Sequence, residues 1–270
     1  MNWTYLSKNG TDEYIEMFAR GGRSQPTVLE TWNYATDRNP LVLRGIMKHK
    51  IIKQCWKDKR LFRYIDGGYF GNQITASNPG GWKHWHRIVP NNLQHTTIID
   101  RPGDRLKKLN VVIHPRKHGS TIMIVAPDEK PCQFYGIDLD TWLSNTINTI
   151  QQHTDRPIVM RERTKSRTER KTNNVVKNLQ DVHAVVTFNS IAATEAVLAG
   201  VPAFVTAPCN AALPVSNTDL TTIDNPWFPD SDHVHRWASH LAYGQFHITE
   251  LENGTAHKIL DETEEILTDV

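Results

Sequence analysis

Long apolar runs are missing from this chain of 270 residues. None approaches the about 20 residues that a bilayer-spanning helix needs. The opening, MNWTYLSKNGTDEY, lacks a basic start followed by an apolar core, so no secretory signal is expected there. Cysteine is scarce as well. Cys55, Cys132 and Cys209 are far apart and odd in number, which fits neither a disulfide framework nor the spacing of zinc ligands. These absences point to a reducing cytoplasm. Histidine is plentiful, at 13 residues, but no H-E-x-x-H unit occurs. Scattered histidines belong to cores and surfaces more often than to metals, and no metal site is expected. Internal repeats and low-complexity segments are absent too.

What the chain has in quantity is charge, unevenly spread. The formal net charge is only +2. Residues 41–120 nevertheless carry 16 Lys and Arg against 4 Asp and Glu, a net of +12, while residues 201–270 carry 2 against 11, a net of −9. Such a split suits a basic half that faces a polyanion and an acidic half that stays clear of it. It also suits two parts of one protein that attract each other, and the sequence leaves both open.

Apolar patterning divides the chain into alternating strands and helices. Strands are predicted near Trp3–Leu6 and at Leu41–Ile46, Leu61–Asp66, Thr96–Ile99 and Asn110–Ile113. Helices are predicted at Glu13–Phe18, ended by Gly21 and Gly22, and at Met47–Lys59. Gly67–Gly81, rich in glycine and asparagine, reads as a loop. A linker over 114–119 gives a basic N-terminal domain, 1–119, and a C-terminal domain, 120–270. In the second, strands at Thr121–Val125, Pro157–Met160, Ala184–Thr187 and Ala203–Val205 alternate with helices at Asp140–Gln152, Val175–Leu179 and Ile191–Ala199. That is the order of a doubly wound α/β half. Trp142, Leu143, Ile147 and Ile150 form the apolar face of the first of these helices. Further helices are predicted at Asp232–Tyr243 and Ala256–Leu267.

The most informative stretch is AVVTFNSIAATEAVLAGVPAFV, residues 184–205. Its first strand lacks alternation and is expected to be covered on both faces, as in a parallel sheet. A polar turn, Asn189 and Ser190, opens the helix. Such a turn offers backbone N–H groups and the positive end of the helix dipole to an anion such as a diphosphate. Glu195, one turn inside, is an acceptor for sugar hydroxyls. From the turn alone, an ordinary βαβ crossover with Ser190 as a plain N-cap reads equally well. Arg161, Arg163 and Lys165 follow a buried strand directly and so lie at its carboxyl end. Open α/β sheets bind ligands there, and cations there would clamp a diphosphate; a solvated basic loop is the alternative.

Three more segments stand out. In YIDGGYFGN, residues 64–72, Asp66 ends a strand beside a glycine loop, where it can orient or deprotonate an acceptor hydroxyl or bond its own turn. GGWKHWHR, residues 80–87, with Asn91, Asn92 and Gln94, interleaves aromatics and cations suited to stacking on bases or sugars. His86 is there a rival to Asp66 as proton acceptor, and packed tryptophans are the plainer alternative. R-G-G-R at Arg20–Arg23 suits a helix C-cap.

The pattern N-S-x-x-x-x-E-A-x-x-x-G-x-P at 189–202 resembles the nucleotide-sugar half of GT-B glycosyltransferases, in the capsule and surface-carbohydrate branch. The segment from Arg161 to Lys165 is similar to the R-x-H/R-x-K strand end of capsule-type transferases, with Arg163 where many relatives have histidine. The YIDGGYF run looks like their E-D-G-F/Y segment. YIDGGYFGN, WHRIVPNNLQ and LAYGQF (241–246) together resemble small phage enzymes that add glucose to modified cytosine in DNA, including those that glucosylate an already glucosylated hydroxymethylcytosine. The resemblance implies an α/β fold of two Rossmann-like halves (GT-B type), a donor cleft between them, and C-terminal helices of which the last packs back on the first half. It implies a nucleotide-sugar co-substrate, UDP-glucose, and no cofactor. Asn189, Ser190, Glu195, Arg161, Arg163 and Lys165 would hold the donor, with Gly22 in an N-terminal glycine loop closing over the transferring group. Asp66 and His86 are the catalytic candidates. The expected acceptor is a hydroxyl of a modified base in phage double-stranded DNA, in the infected host cytoplasm. A capsule or surface glycan is the alternative acceptor, and a non-enzymatic DNA-binding protein on a decayed transferase fold is the third possibility.

Overall fold

The strand-forming runs assemble into two separate sheets. The computed structural model describes residues 2–71, 81–161 and 179–268. In chain order the elements begin β1 (Thr4–Ser7), α1 (Glu13–Gly21), β2 (Pro26–Val28), β3 (Leu41–Arg44), α2 (His49–Asp58), β4 (Phe62–Gly67), α3 (Gly81–His84) and β5 (Trp85–Pro90). There follow α4 (Asp104–Lys108), β6 (Thr121–Val125), α5 (Glu129–Tyr135), α6 (Leu139–His153), β7 (Ile158–Met160), β8 (Val182–Thr187), α7 (Ala192–Leu198), β9 (Ala203–Val205) and α8 (Ser231–Tyr243). The chain continues through β10 (Gln245–His247), α9 (Ile248–Glu252) and α10 (Thr255–Thr268). Among the described residues no helix is long and apolar enough to cross a membrane.

The first unit takes 2–71, 81–93 and 242–268; the second takes 94–161 and 179–241. The division falls after Leu93 rather than after Gly119. Hydrogen bonds explain this: residues 94–119 are bound into the second unit, with Gln94 Nε2 donating to Asn189 O, His114 N to Leu198 O and Lys117 N to Gly200 O. The tail completes the first unit, because β10 pairs antiparallel with β5 and α10 packs on α1.

The first sheet has the order β10-β5-β4-β3-β1-β2. β2, β1, β3 and β4 are parallel; β5 runs antiparallel to both its neighbours, β4 and β10, so β10 points the same way as the first four. Buried runs without alternation, such as Tyr5–Leu6 and Leu41–Leu43, require cover on both faces. On one face Tyr5, Val42, Ile65 and Ile88 pack with Ile15, Phe18 and Ala19 of α1 and Leu251, Ala256 and Leu260 of the tail helices. On the other face Phe62 meets Trp56 of α2, ring centroids 6.3 Å apart.

The second sheet is wholly parallel, order β7-β6-β8-β9. Its core joins Ile122, Ile124, Ala184, Val186 and Phe204 to Ile150, with Trp142, Leu143 and Ile147 of α6 packed against it. The expected apolar face of α6 is therefore the one that is buried. Gly200, just past the end of α7, has φ +83, and a Cβ there would strike the Pro115 carbonyl, so glycine is required on both counts. In each unit the strand order is second-first-third-fourth, so each sheet has a switch point between its first and third strands, where such sheets hold ligands.

Some predicted elements differ. Thr96–Ile99 and Asn110–Ile113 are not strands. Their β-branched residues suggested pairing, but no residue of either stretch is buried, Val112 being 63% exposed, and burial is what makes a β-branched run a strand. β5 lies in an aromatic and cationic run for which no strand was predicted, and α5 behind Pro131, which a first helical turn tolerates. The Val175–Leu179 helix, save Leu179, lies outside the described residues, as do Arg163 and Lys165 and positions 72–80 of the predicted loop.

The basic stretch meets carboxylates within its own unit. Arg44 pairs with Asp12 (3.3 Å), Arg60 with Asp37 (3.2 Å) and Arg87 with Asp66 (3.0 Å). Arg63 is fully buried on β4 and bonds Glu264 (2.8 Å) and Asp261 (2.5 Å) of α10, with its guanidinium 4.2 Å from the Trp3 ring. Burial opposes its charge, but Glu264 and Asp261 outweigh burial and hold it protonated. A buried charge stripped of its partners is costly, whereas removing the charge itself leaves only carboxylates that reach water. The double variant Asp261→Ala/Glu264→Ala is therefore expected to destabilise the first unit by about 3–5 kcal/mol and Arg63→Met by clearly less. Urea denaturation of the variants checks this; equal losses would show that the charge is not what matters.

Candidate functional site

β8 is buried at all six positions and its His183 is spent on Ile223 O, so the polar groups it offers to a ligand lie at its carboxyl end. There Thr187 Oγ1 donates to Val125 O at 2.7 Å and ties the ends of β8 and β6 together at the switch point. Phe188, Asn189, Ser190 and Ile191 then lead into α7. Both turn carbonyls are engaged by side-chain amides of the same unit: Gln94 Nε2 donates to Asn189 O and Asn210 Nδ2 to Ser190 O, each at 3.2 Å. Gln94 Oε1 in turn accepts from Ala211 N at 2.9 Å. Gln94, expected to read bases or sugars, thus spends its amide on shaping the turn.

Ser190 does part of a cap's work. Its Oγ accepts from Ala192 N at 3.2 Å and its carbonyl from Ala193 N at 3.3 Å. α7 has only seven residues, and a helix this short adds little dipole. Any attraction for an anion at this edge rests mainly on Arg161. That residue directly follows β7 and extends its pairing, with its N–H donating to Ile124 O at 2.9 Å.

Arg161 and Glu195 face each other electrically. Burial pushes the Glu195 carboxyl up to about 7, against the pull of the Arg161 charge. Burial lowers the Arg161 guanidinium from its ordinary value, and the Glu195 charge counters it. The structure thus brings together Arg161, Asn189, Ser190 and Glu195 at one carboxyl edge. An aromatic group at the same edge was not anticipated: Tyr135 and Trp142 lie 5.2 and 6.4 Å from Phe188, and Trp142 Nε1 donates to Thr206 Oγ1 at 2.9 Å. Trp142 was legible only as core, because its place in the periodic face of α6 says nothing of which end of the helix meets the strand ends.

The other candidates lie in the first unit. Asp66 ends β4 with its side chain 46% exposed. One oxygen accepts from Tyr64 Oη and Arg87 Nη2, both at 3.0 Å, and the other from Gly67 N at 2.8 Å. The self-bonded turn is real, but it leaves a carboxylate fixed from three sides and open to solvent. His86 is different. It is 2% exposed, its ring lies tilted against that of Tyr14 with centroids 3.9 Å apart, and Nε2 donates to Lys83 O at 3.1 Å. Burial pushes it down to about 4. It belongs to the core and has no direct path to a substrate, so of the two only Asp66 is placed to touch one. Gly22 caps α1, its N–H bonding Phe18 O at 3.1 Å. A Cβ there would come within 2.5 Å of Tyr5 Oη and 2.9 Å of the His257 ring, so packing accounts for this glycine without a ligand. Trp85 lies 5.2 Å from His247 and fills space beside Gly71, the packed alternative for that segment. Among the described residues no group of three His, Cys, Asp or Glu could hold a metal ion.

No family model matches the chain, and no curated protein is similar to it in sequence. Solved structures are similar to it in fold. One is Thermosulfurimonas dismutans KpsC, beta Kdo 2,4 transferase, with a TM-score of 0.49 and 10% identity over 89% of this chain and 90% of that chain. Another is Thermosulfurimonas dismutans KpsC, beta Kdo 2,7 transferase, with a TM-score of 0.50 and 11% identity over 95% of this chain and 99% of that chain. The chain is a mixed α/β protein that shares its fold with the second of these transferase structures.

Proposed function

We propose that this protein is a glycosyltransferase that takes a sugar from a nucleotide donor and passes it to a hydroxyl of a glycan. The observation that carries this is the placing of Arg161, directly after β7, and Glu195, in the first turn of α7, at the same carboxyl edge of the parallel second sheet, close enough for each charge to act on the other. A guanidinium there suits the diphosphate, and a carboxylate one turn inside the helix suits the ribose hydroxyls. Asn189 and Ser190 supply the turn between them, and Arg163 and Lys165 follow Arg161 in the sequence. In transfer, the bond from the sugar's anomeric carbon to the phosphate oxygen breaks and the acceptor oxygen bonds that carbon. The nucleoside diphosphate leaves with the electron pair, its charge met by Arg161. The acceptor hydroxyl's proton goes to a general base or to solvent.

A glycan fits better than a DNA base for two reasons. The structure with a TM-score of 0.50 is named a Kdo transferase, so a saccharide-handling protein has this fold. The basic stretch that favoured DNA spends Arg44, Arg60, Arg63 and Arg87 on the protein's own carboxylates. The decisive experiment incubates the protein with UDP- and CMP-linked sugars and, in parallel, with glycan acceptors, hydroxymethylcytosine DNA, glucosylated DNA and plain DNA, and analyses the products by mass spectrometry. A sugar on the glycan and none on DNA is expected; transfer to the modified base would restore the DNA reading.

Two variants test the donor site. Arg161→Ala is expected to weaken UDP-glucose binding about tenfold or more, as for loss of a charge-assisted hydrogen bond. Glu195 is protonated below about 7, and only its charged form accepts fully from two ribose hydroxyls. UDP-glucose, whose phosphates do not titrate near neutrality, should therefore bind more tightly as pH rises from 6 to 8. In Glu195→Gln that slope should vanish. Calorimetry across this range checks both, and a parallel slope in the variant would remove Glu195 from the site.

A further inference from the structure

Lysine is what the basic stretch leaves on the surface of the first unit. Arg44, Arg60, Arg63 and Arg87 are held by carboxylates of that unit, but α2 turns Lys50, Lys53 and Lys57 to solvent. Their spacing of i, i+3 and i+7 sets them on one face, opposite the buried Ile52 and Cys55. Lys59 follows in the left-handed conformation, φ +53, a backbone that glycine takes with less strain, and it too is exposed. Arg38, also exposed, lies close enough to act on Asp58. Asp58 is the one carboxylate of α2. Gln54 Nε2 donates to its two oxygens at 3.0 and 2.9 Å, and Tyr34 Oη donates to one of them at 3.0 Å. Lysine and arginine thus outnumber acid here, and the acid is already occupied by donors of the protein.

Large apolar side chains are exposed beside these cations. Trp56, on the flank of the lysine face, is 40% exposed, and Leu61 is 44% exposed. Asn91 holds the two at one place: its carbonyl accepts from Trp56 Nε1 at 2.9 Å, and its Oδ1 accepts at 2.9 Å from the N–H of Phe62, the residue after Leu61. The indole N–H therefore has its acceptor within the protein, so the ring can leave water without losing a hydrogen bond.

A cationic face with an apolar rim selects among occupants. The phosphate backbone of a duplex would use the lysines but gain nothing from Leu61 or Trp56. A second copy of the same face would be repelled by like charge. An anionic lipid surface uses both features: it attracts each lysine that comes close, and its headgroup boundary takes up Trp and Leu side chains. We propose that the lysine face of α2, with Trp56 and Leu61, docks the protein on a membrane that carries anionic lipids. The proposal goes beyond the glycosyltransferase reading and does not depend on it.

Co-sedimentation of the full chain with vesicles tests it, one set of pure phosphatidylcholine and the other a two-to-one mixture of phosphatidylcholine and phosphatidylglycerol. Binding to the mixed vesicles alone is expected, falling as salt is raised. Lys50→Gln/Lys53→Gln/Lys57→Gln should weaken it about tenfold or more, since each lysine near such a surface counts for several-fold. Lys107→Gln/Lys108→Gln/Lys117→Gln removes the same charge from exposed sites of the second unit and should change it little. Both triple variants should keep the parent's Tm. Bromine on the lipid acyl chains should quench part of the tryptophan emission, and Trp56→Phe, which keeps a ring against Phe62, should remove that part. Binding to neither vesicle type, or equally to both, would overturn the proposal. So would equal losses in the two triple variants, quenching that survives Trp56→Phe, or plain duplex DNA bound more tightly than the mixed vesicles through the same three lysines. Donor binding enters none of these readouts, so failure here would leave the donor site standing, and its failure would leave this face.

Discussion

Six consecutive buried residues, Val182–Thr187, constrain the whole second unit. A strand bonded to parallel neighbours on both sides and packed on both faces has no room for a charge along its length. Polar groups open to a ligand are displaced to its carboxyl end, and the connection to α7 must carry them. That is why Asn189, Ser190 and Glu195 meet Arg161 there, although Arg161 comes from another strand. Glu195 carries the stress of the arrangement: too buried to ionise easily, yet too near a guanidinium to stay neutral throughout. A carboxyl poised near neutrality inside a ligand-binding edge is a common mark of a working site.

Charge follows a different logic in the first unit. The basic stretch and the acidic tail look like a half that seeks a polyanion and a half that avoids one. The structure pairs part of them instead. Arg63, from the basic stretch, sits at zero exposure with Asp261 and Glu264 of the tail. Arg44, Arg60 and Arg87 find carboxylates nearer in sequence. Arginine takes these sheltered, multiply bonded places, whereas Lys50, Lys53, Lys57 and Lys59 stay on the surface around α2. Net charge per segment therefore overstated how much of the molecule is available to an anionic partner.

Local signals in the sequence were strong where one pattern decided the outcome. The buried β8, the apolar face of α6 and the glycine end of α1 could all be read from residue order. They failed where long-range pairing decides. β5 is a strand because β4 and β10 flank it, and nothing in Trp85–Pro90 announces partners at positions 63–67 and 245–247. Thr96–Ile99 has strand-like residues and no such partners. The candidate site shows the same limit. Asp66 and Glu195 stand out as carboxylates at element ends. That His86 is sealed beneath Tyr14, or that Gln94 braces the turn at Asn189, depends on contacts between distant residues that spacing does not encode.

The tail's role in the first sheet bears on how the protein is made. Arg63 and Glu264 are 201 positions apart, and β10, α9 and α10 close a sheet begun at Thr4. Every residue of the second unit emerges from the ribosome before position 242, so that unit can complete its contacts while the N-terminal strands still wait. On a vectorially synthesised chain, the half translated first is finished last, and until then β5 lacks its outer neighbour and a guanidinium is left without its counter-ions.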